Sequence, residues 1–325
     1  MKQPVTITPK PVHRPGRLGT AVVAWAAAAL LPLAGDGSAA APAPDREAVP
    51  AWRAGDGALV AQKRGGSRRQ SGEAEGKGSD EAAPTAVPTN PGAPREIHER
   101  AGLIPTGLKP VYPKDAECLP VASPFASRTR FDGSARVSNA YDGFHSGMDV
   151  STPMRAPLVA VAAGEVVLKY QGGRLVGNRI ILRHAPEDTG LKVWVYSLYQ
   201  HFDSMPELDI GDRVTMGQFL GPAGNTGTTG GHYGVVGYPH LHMTVYVSDH
   251  PDYGKSPRSV QPKDVRFLDP VALYLKKDPP LTDNHAIAAM PEAEKQVAIA
   301  YVTTDGKVVP QGAKIIWPIP CKPKS

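Results

Sequence analysis

Residues Val235–Val245 read VVGYPHLHMTV, and the pattern in this stretch decides the fold. Gly237 and Pro239 punctuate a loop. From Leu241 to Val247 apolar and less apolar residues then alternate. A period of two is the signature of a β-strand with one packed face. Residues two apart in a strand share a face, so His240 and His242 project together while Leu241, Met243 and Val245 project the other way. Two imidazoles over a packed layer cost free energy unless they are given partners. Imidazole is also a common zinc ligand and a proton carrier near neutral pH, so the pair marks a candidate site.

The surrounding sequence extends the β reading. Leu158–Tyr170 (LVAVAAGEVVLKY), Asn178–Arg183 (NRIILR) and Lys192–Tyr199 (KVWVYSLY) are β-rich runs separated by Gly, Pro and Asp turns. With 34 Gly, 34 Pro and only 6% aromatic residues, the chain is expected to be mainly β, an antiparallel sheet or partly open barrel with many loops. Pro270–Lys277 is expected to form a short helix, and Lys307–Val309 and Lys314–Trp317 further strands.

Two other segments bring ligand-type residues to this sheet. Phe144–Val150 (FHSGMDV) carries His145 and Asp149 four residues apart, with Gly147 between them favouring a turn into a strand over a helix. Tyr199-Gln200-His201 closes a strand, from which an imidazole can reach a site built by neighbouring strands. Two histidines and one aspartate leave one position of a tetrahedral metal open, the arrangement of catalytic rather than structural zinc. His184 is read as structural and His232 as a loop residue, and His98, His250 and His285 as solvated.

The termini and the bulk composition set the context. Basic residues, an apolar run over Thr20–Leu33 and the small residues Ser38–Ala41 follow the order of a secretory signal peptide, assigned to residues 1–40. The run is short for a membrane span of roughly 20 residues, so cleavage is expected, with no stable span after it, and an uncleaved anchor is the alternative. Residues 41–95 read as a disordered linker rich in Ala, Pro, Gly, Ser and mixed charge. Residues 96–118 form a pre-domain segment, with an inhibitory fold over the cleft as one reading. Residues 119–278 form the folded domain and 279–325 a C-terminal extension. The net charge of +5 lies partly in the N-terminal segment, and no basic–aromatic interleaving marks a nucleic-acid groove. Cys118 and Cys321 are the two cysteines. In an exported protein they are expected to pair, with two free thiols as the alternative.

Taken in order, HxxxD at His145–Asp149, Gly177–His184 (GNRIILRH), YxH at Tyr199–His201, Gly211–Val214, Gly217-Gln218, Asn225-Thr226-Gly227 and HLH at His240–His242 resemble the lysostaphin/LytM-type peptidases of the M23 metallopeptidase family. The resemblance covers roughly Pro120–Val247. It implies a LytM-type β fold in which His145, Asp149 and His242 bind Zn2+, with His201 and His240 as a non-ligand catalytic pair. It also implies a periplasmic or secreted zinc endopeptidase acting on the peptide cross-links of bacterial peptidoglycan. Gly–Gly bridges and D-Ala–diaminopimelate bonds both remain open as the target. The alternative is a non-catalytic peptidoglycan-binding or amidase-regulating LytM-type domain, which usually lacks ligands. A lipoyl-type carrier, suggested by the rhythm of Leu208–Leu220, lacks a lysine at Ala163-Gly164-Glu165. The chain departs from the family pattern in an insertion-like loop, Gly230–Pro239, in Met243 where Phe is usual and in Thr244 where Glu is frequent.

Overall fold

The computed structural model describes residues 90–138 and 140–324. The proposed signal peptide and most of the proposed linker lie outside the described residues. No helix among the described residues is long and apolar enough to cross a membrane.

The fold is mainly β, as the alternating runs lead one to expect. Its centre is an eight-stranded sheet of β1 (Val121–Ser123), β2 (Met148–Ser151), β3 (Gly164–Gln171), β4 (Asn178–His184), β5 (Trp194–Phe202), β6 (Arg213–Val214), β7 (His240–Ser248) and β8 (Arg266–Leu268). The strand order is β1-β2-β7-β5-β4-β3-β6, with β8 beside the second half of β7. Every pairing in the sheet is antiparallel. The sheet is open. The run Leu158–Tyr170 is not one strand, because Ala160–Ala163 turns the chain between Pro157–Val159, which pairs with Phe219–Pro222, and β3.

Both faces of the sheet are covered. On one face, Leu241, Met243, Val245 and Val247 of β7 are completely buried with Tyr199, Ile180, Leu182 and Val150. The C-terminal extension closes this core with Tyr301, Trp317 and Ile319. On the other face, Tyr246 packs with Leu198, Ile181, Phe267 and Leu103. His240 and His242 share the face of Tyr246. Fully burying one such large side chain stabilises by about 1.5–3 kcal/mol, so a slip of one residue in β7, which exchanges the two faces, is strongly disfavoured.

The flanking segments close the domain on itself. Arg95–Arg100 is a short helix, and Thr106, Gly102 and Lys109 that follow it bond to Asp269, Asn284 and Lys295. Lys109–Val111 pairs in parallel with Gln296–Ala298, and Ala116-Glu117 with Lys322-Pro323. Cys118 and Cys321 form a disulfide across 203 positions of sequence, a bond consistent with an oxidising compartment.

Three expectations need correction. Lys314–Trp317 is not a strand. Ile316 N–H bonds Val161 O while Trp317 N–H bonds Ala300 O, so the segment bridges two neighbours instead of following one ladder. The expected helix at Pro270–Lys277 is a five-residue 3-10 helix, Pro270–Tyr274, capped by the Asp269 carboxylate. His98, expected to be solvated, is fully buried with its ring 5.1 Å from that of Tyr141.

Candidate metal centre

Strand pairing brings the separated motifs to one place. In the β7–β2 ladder His242 lies opposite Asp149, and in the β7–β5 ladder it lies opposite Gln200. Gly147 permits the approach of the His145–Asp149 turn to β7, since a Cβ there would stand 2.2 Å from the Met243 carbonyl oxygen. His145 Nε2 then lies 3.0 Å from Asp149 Oδ1 and 3.0 Å from His242 Nδ1, and His242 Nδ1 lies 2.9 Å from Asp149 Oδ1.

The outward contacts of the rings let each present a lone pair to a metal ion. His145 Nδ1 is 2.9 Å from the Pro124 carbonyl, to which it can donate while Nε2 faces the ion. His242 Nε2 is 3.0 Å from the Thr244 hydroxyl, to which it can donate while Nδ1 faces the ion. Two imidazole nitrogens and a carboxylate oxygen converge. That donor set suits a borderline cation such as zinc, and a carbonyl or hydroxyl partner on the far side of each ligand imidazole is the usual support of a metal site. His145, Asp149 and His242 can together hold a metal ion, their ligand atoms all lying within 4.8 Å of one another.

His201 and His240 stand beside this cluster with the same polarity. His240 Nδ1–H donates to Tyr238 O at 2.8 Å, and its Nε2 lies 3.5 Å from Asp149 Oδ1. His201 Nδ1–H donates to Thr226 O at 2.6 Å, and its ring centroid is 4.5 Å from that of His240. Burial, reinforced by repulsion from His240 and His242, holds the His201 imidazole well below its ordinary pKa. Burial also lowers His240 and His242, although Asp149 opposes it. Burial disfavours ionisation of Asp149, but the attraction of His145 and then His240 outweighs it and holds this carboxyl well below its usual range. These directions favour the neutral, basic form of His201, His240 and His242 and the ionised form of Asp149.

His201 reaches the cluster by a device hidden from strand alternation. Asn178 pairs with Phe202 but Arg179 pairs with Gln200, which leaves His201 as the extra residue of a β-bulge. Its φ is +70°, a left-handed conformation uncommon for a side-chain-bearing residue and concentrated at functional sites. Alternation inverts there, so His201 joins the site while Phe202 enters the opposite core. The motifs Gly177-Asn178 and Asn225-Thr226-Gly227 build the socket. Thr226 Oγ1–H donates to Phe202 O and accepts from Asn178 N–H. A Cβ on Gly177 would lie 2.2 Å from Thr226 O, and one on Gly227 2.4 Å from Gly177 N.

The Gly230–Pro239 loop lies beside the site. The Tyr238 ring stacks on His240 with centroids 4.4 Å apart, and Phe131 stacks on Tyr238 at 4.1 Å. His232 Nε2 pairs with Asp132 Oδ2 at 2.7 Å, away from the metal cluster. His184 is fully buried, with Nδ1–H donating to Ala163 O and Nε2 2.7 Å from Ser197 Oγ. Sequence reasoning did not single out Arg136, whose guanidinium lies 3.1 Å from Asp149 Oδ2. A lone arginine in a loop gives no periodic or motif signal.

Comparison with known proteins finds relatives of this region. Residues 143–253 match the family model of Peptidase family M23, a stretch that contains His145, Asp149, His201, His240 and His242. This region of the chain is similar to that peptidase family. A segment of 129 residues, 39% of this chain, is 30% identical to an uncharacterised metalloprotease of Haemophilus influenzae, and spans 23% of that protein's length. A zinc-containing peptidase from Vibrio cholerae is 26% identical over 43% of this chain and 36% of its own, with a TM-score of 0.31. The catalytic domain of the antimicrobial peptidase lysostaphin from Staphylococcus simulans is 23% identical over 44% of this chain and 84% of its own, with a TM-score of 0.28.

Proposed function

We propose that the protein is a zinc-dependent endopeptidase that hydrolyses peptide cross-links of bacterial peptidoglycan outside the cytoplasm. The observation that carries the reading is the convergence of His145 Nε2, His242 Nδ1 and Asp149 Oδ1, each within 3.0 Å of the others, with two further imidazoles alongside. In this reading His145, Asp149 and His242 are the zinc ligands. Zinc held there supplies Lewis acidity, which lowers the pKa of water and polarises a peptide carbonyl.

His201 and His240 carry the proton traffic. Each commits Nδ1–H to a backbone carbonyl, so each keeps Nε2 as a base. As water adds to the carbonyl carbon, one of these nitrogens takes its proton. The resulting imidazolium donates to the amide nitrogen as the C–N bond breaks, leaving an amine and a carboxylic acid, whose proton then passes to the amine or to solvent to give the carboxylate. The other imidazole hydrogen-bonds to the oxyanion once protonated, or orients the water while neutral. Export by residues 1–40, a tether over 41–95, a pre-domain segment over 96–118, a catalytic domain over 119–278 and an extension over 279–325 complete the proposal. Among wall cross-links, D-Ala–diaminopimelate is the bond favoured.

The test is mass spectrometry of peptidoglycan fragments after incubation with the purified protein, with and without a zinc chelator. New peptide-bond cleavage products that disappear with chelator are expected. Absence of products from protein that carries zinc would refute the substrate, and absence of both products and zinc would refute the enzyme.

A further inference from the structure

We infer that Arg136 is a positioning residue for the metal centre, one that holds Asp149 as a single-oxygen ligand. The inference rests on the metal reading above. Asp149 divides its two oxygens. Oδ1 faces His145, His242 and His240 at 3.0, 2.9 and 3.5 Å. Oδ2 faces the Arg136 guanidinium at 3.1 Å. A carboxylate with both oxygens free can swing between one-oxygen and two-oxygen binding. One whose second oxygen accepts a charge-assisted hydrogen bond keeps the first fixed toward the metal.

Arg136 is itself fixed. The same NH2 group that reaches Asp149 donates to Ser123 Oγ at 2.8 Å, and Nε–H donates to Thr129 O at 3.3 Å. Its backbone N–H bonds Arg128 O at 2.9 Å. Ser123 lies opposite Asp149 in the β1–β2 pairing, next to a register shift between Val121 and Ser123. The Ser123 hydroxyl is also 3.5 Å from His145 Nδ1. One serine and one arginine therefore brace two of the three candidate ligands from the side away from their convergence.

The arginine also ties the centre to a loop that the family pattern lacks. Residues 127–138, which carry Arg136, meet the Gly230–Pro239 loop through the Asp132–His232 pair, the Ser134 Oγ–His232 Nε2 contact at 3.0 Å and the Phe131–Tyr238 stack. The insertion thereby supports the segment that orients Asp149.

The sign of the effect separates this role from a bystander's. Coulomb's law alone makes a cation beside a divalent metal unfavourable, so deleting an idle arginine would tighten zinc binding. Deleting a partner that orients a ligand weakens it, by 10–100-fold in typical metal sites. The experiment is competitive chelator titration of zinc on the full chain, for wild type, Arg136→Ala and Arg136→Lys, with thermal unfolding to verify that each is folded. Cobalt substitution adds a spectroscopic readout, because visible absorption weakens as coordination number rises. We expect roughly 10–100-fold weaker zinc binding and a weaker cobalt spectrum for Arg136→Ala, with Arg136→Lys recovering most of both. Equal or tighter zinc binding, or an unchanged cobalt spectrum, in folded Arg136→Ala overturns the inference alone. Failure of the wild type to bind zinc overturns the metal reading itself.

Discussion

Asp269 gives the domain a measurable pH dependence remote from the metal centre. It is 5% exposed. Its Oδ1 accepts from Val271 N–H at 2.9 Å and its Oδ2 from the Thr106 hydroxyl at 2.5 Å. Burial pushes this carboxyl from 3.8 up to about 6, against the pull of those two hydrogen bonds. Between these values the folded chain keeps a proton that the unfolded chain has released. The stability contributed by that proton is therefore fully present below about pH 4 and lost as the pH rises through about 6. A separation of about two pH units, at 1.36 kcal/mol for each, amounts to about 3 kcal/mol. Asp269→Asn cannot titrate, yet its amide oxygen still caps Val271 and its NH2 can donate to the Thr106 hydroxyl. The assay is urea unfolding at pH 4, 5, 6 and 7, followed by tryptophan fluorescence, to which the buried Trp317 contributes. Because every other titrating group is common to both proteins, the difference between them isolates Asp269. The variant should gain on the wild type by about 3 kcal/mol between pH 4 and pH 7, about 1 M or more in urea midpoint. A difference that stays constant across this range would refute the linkage.

Other perturbations follow from the same geometry. His201→Gly should unfold about 1 kcal/mol less readily than His201→Ala, since only glycine adopts the bulge conformation without strain, while both retain zinc and lose turnover; thermal melts, zinc content and cleavage assays check this. Gly147→Ala drives a methyl into the backbone of Met243, so it should lower stability by about 1–3 kcal/mol and deplete zinc, read by thermal melts and metal analysis. Cys118→Ser with Cys321→Ser opens a loop of 203 positions, which the chain-entropy model values at about 5 kcal/mol, measured by urea unfolding against the oxidised wild type.

The sheet and most of the centre were legible for physical reasons. Alternation in Leu241–Val247 reports directly which side chains enter a core, and it put His240 and His242 on one face. Gly147 between His145 and Asp149 pointed to a turn, and the turn is what lets both reach His242. The position of His201 was read only as a strand end. Its bulge depends on a register shift against Asn178, a property of two strands that neither sequence displays alone. Arg136 was silent because it sits in a loop without periodicity, and its partner, Asp149, lies on a strand. His98 looked solvated because its short helix, Arg95–Arg100, has too few turns to display a buried face. Lys314–Trp317 has strand composition, but its hydrogen bonds go to two separate neighbours, and composition carries no information about pairing.

The linked cysteines also determine how the chain bears a pulling force. Cys118 and Cys321 have Cα atoms 4.4 Å apart, and Ala116-Glu117 pairs with Lys322-Pro323 just outside the bond. Tension applied through those two flanks passes across a covalent bridge rather than through the sheet. The 203-position loop, which contains all five residues of the centre, is thereby excluded from the load path. At roughly 3.4 Å per extended residue, about 700 Å of chain stays out of reach of the force until the bond is reduced.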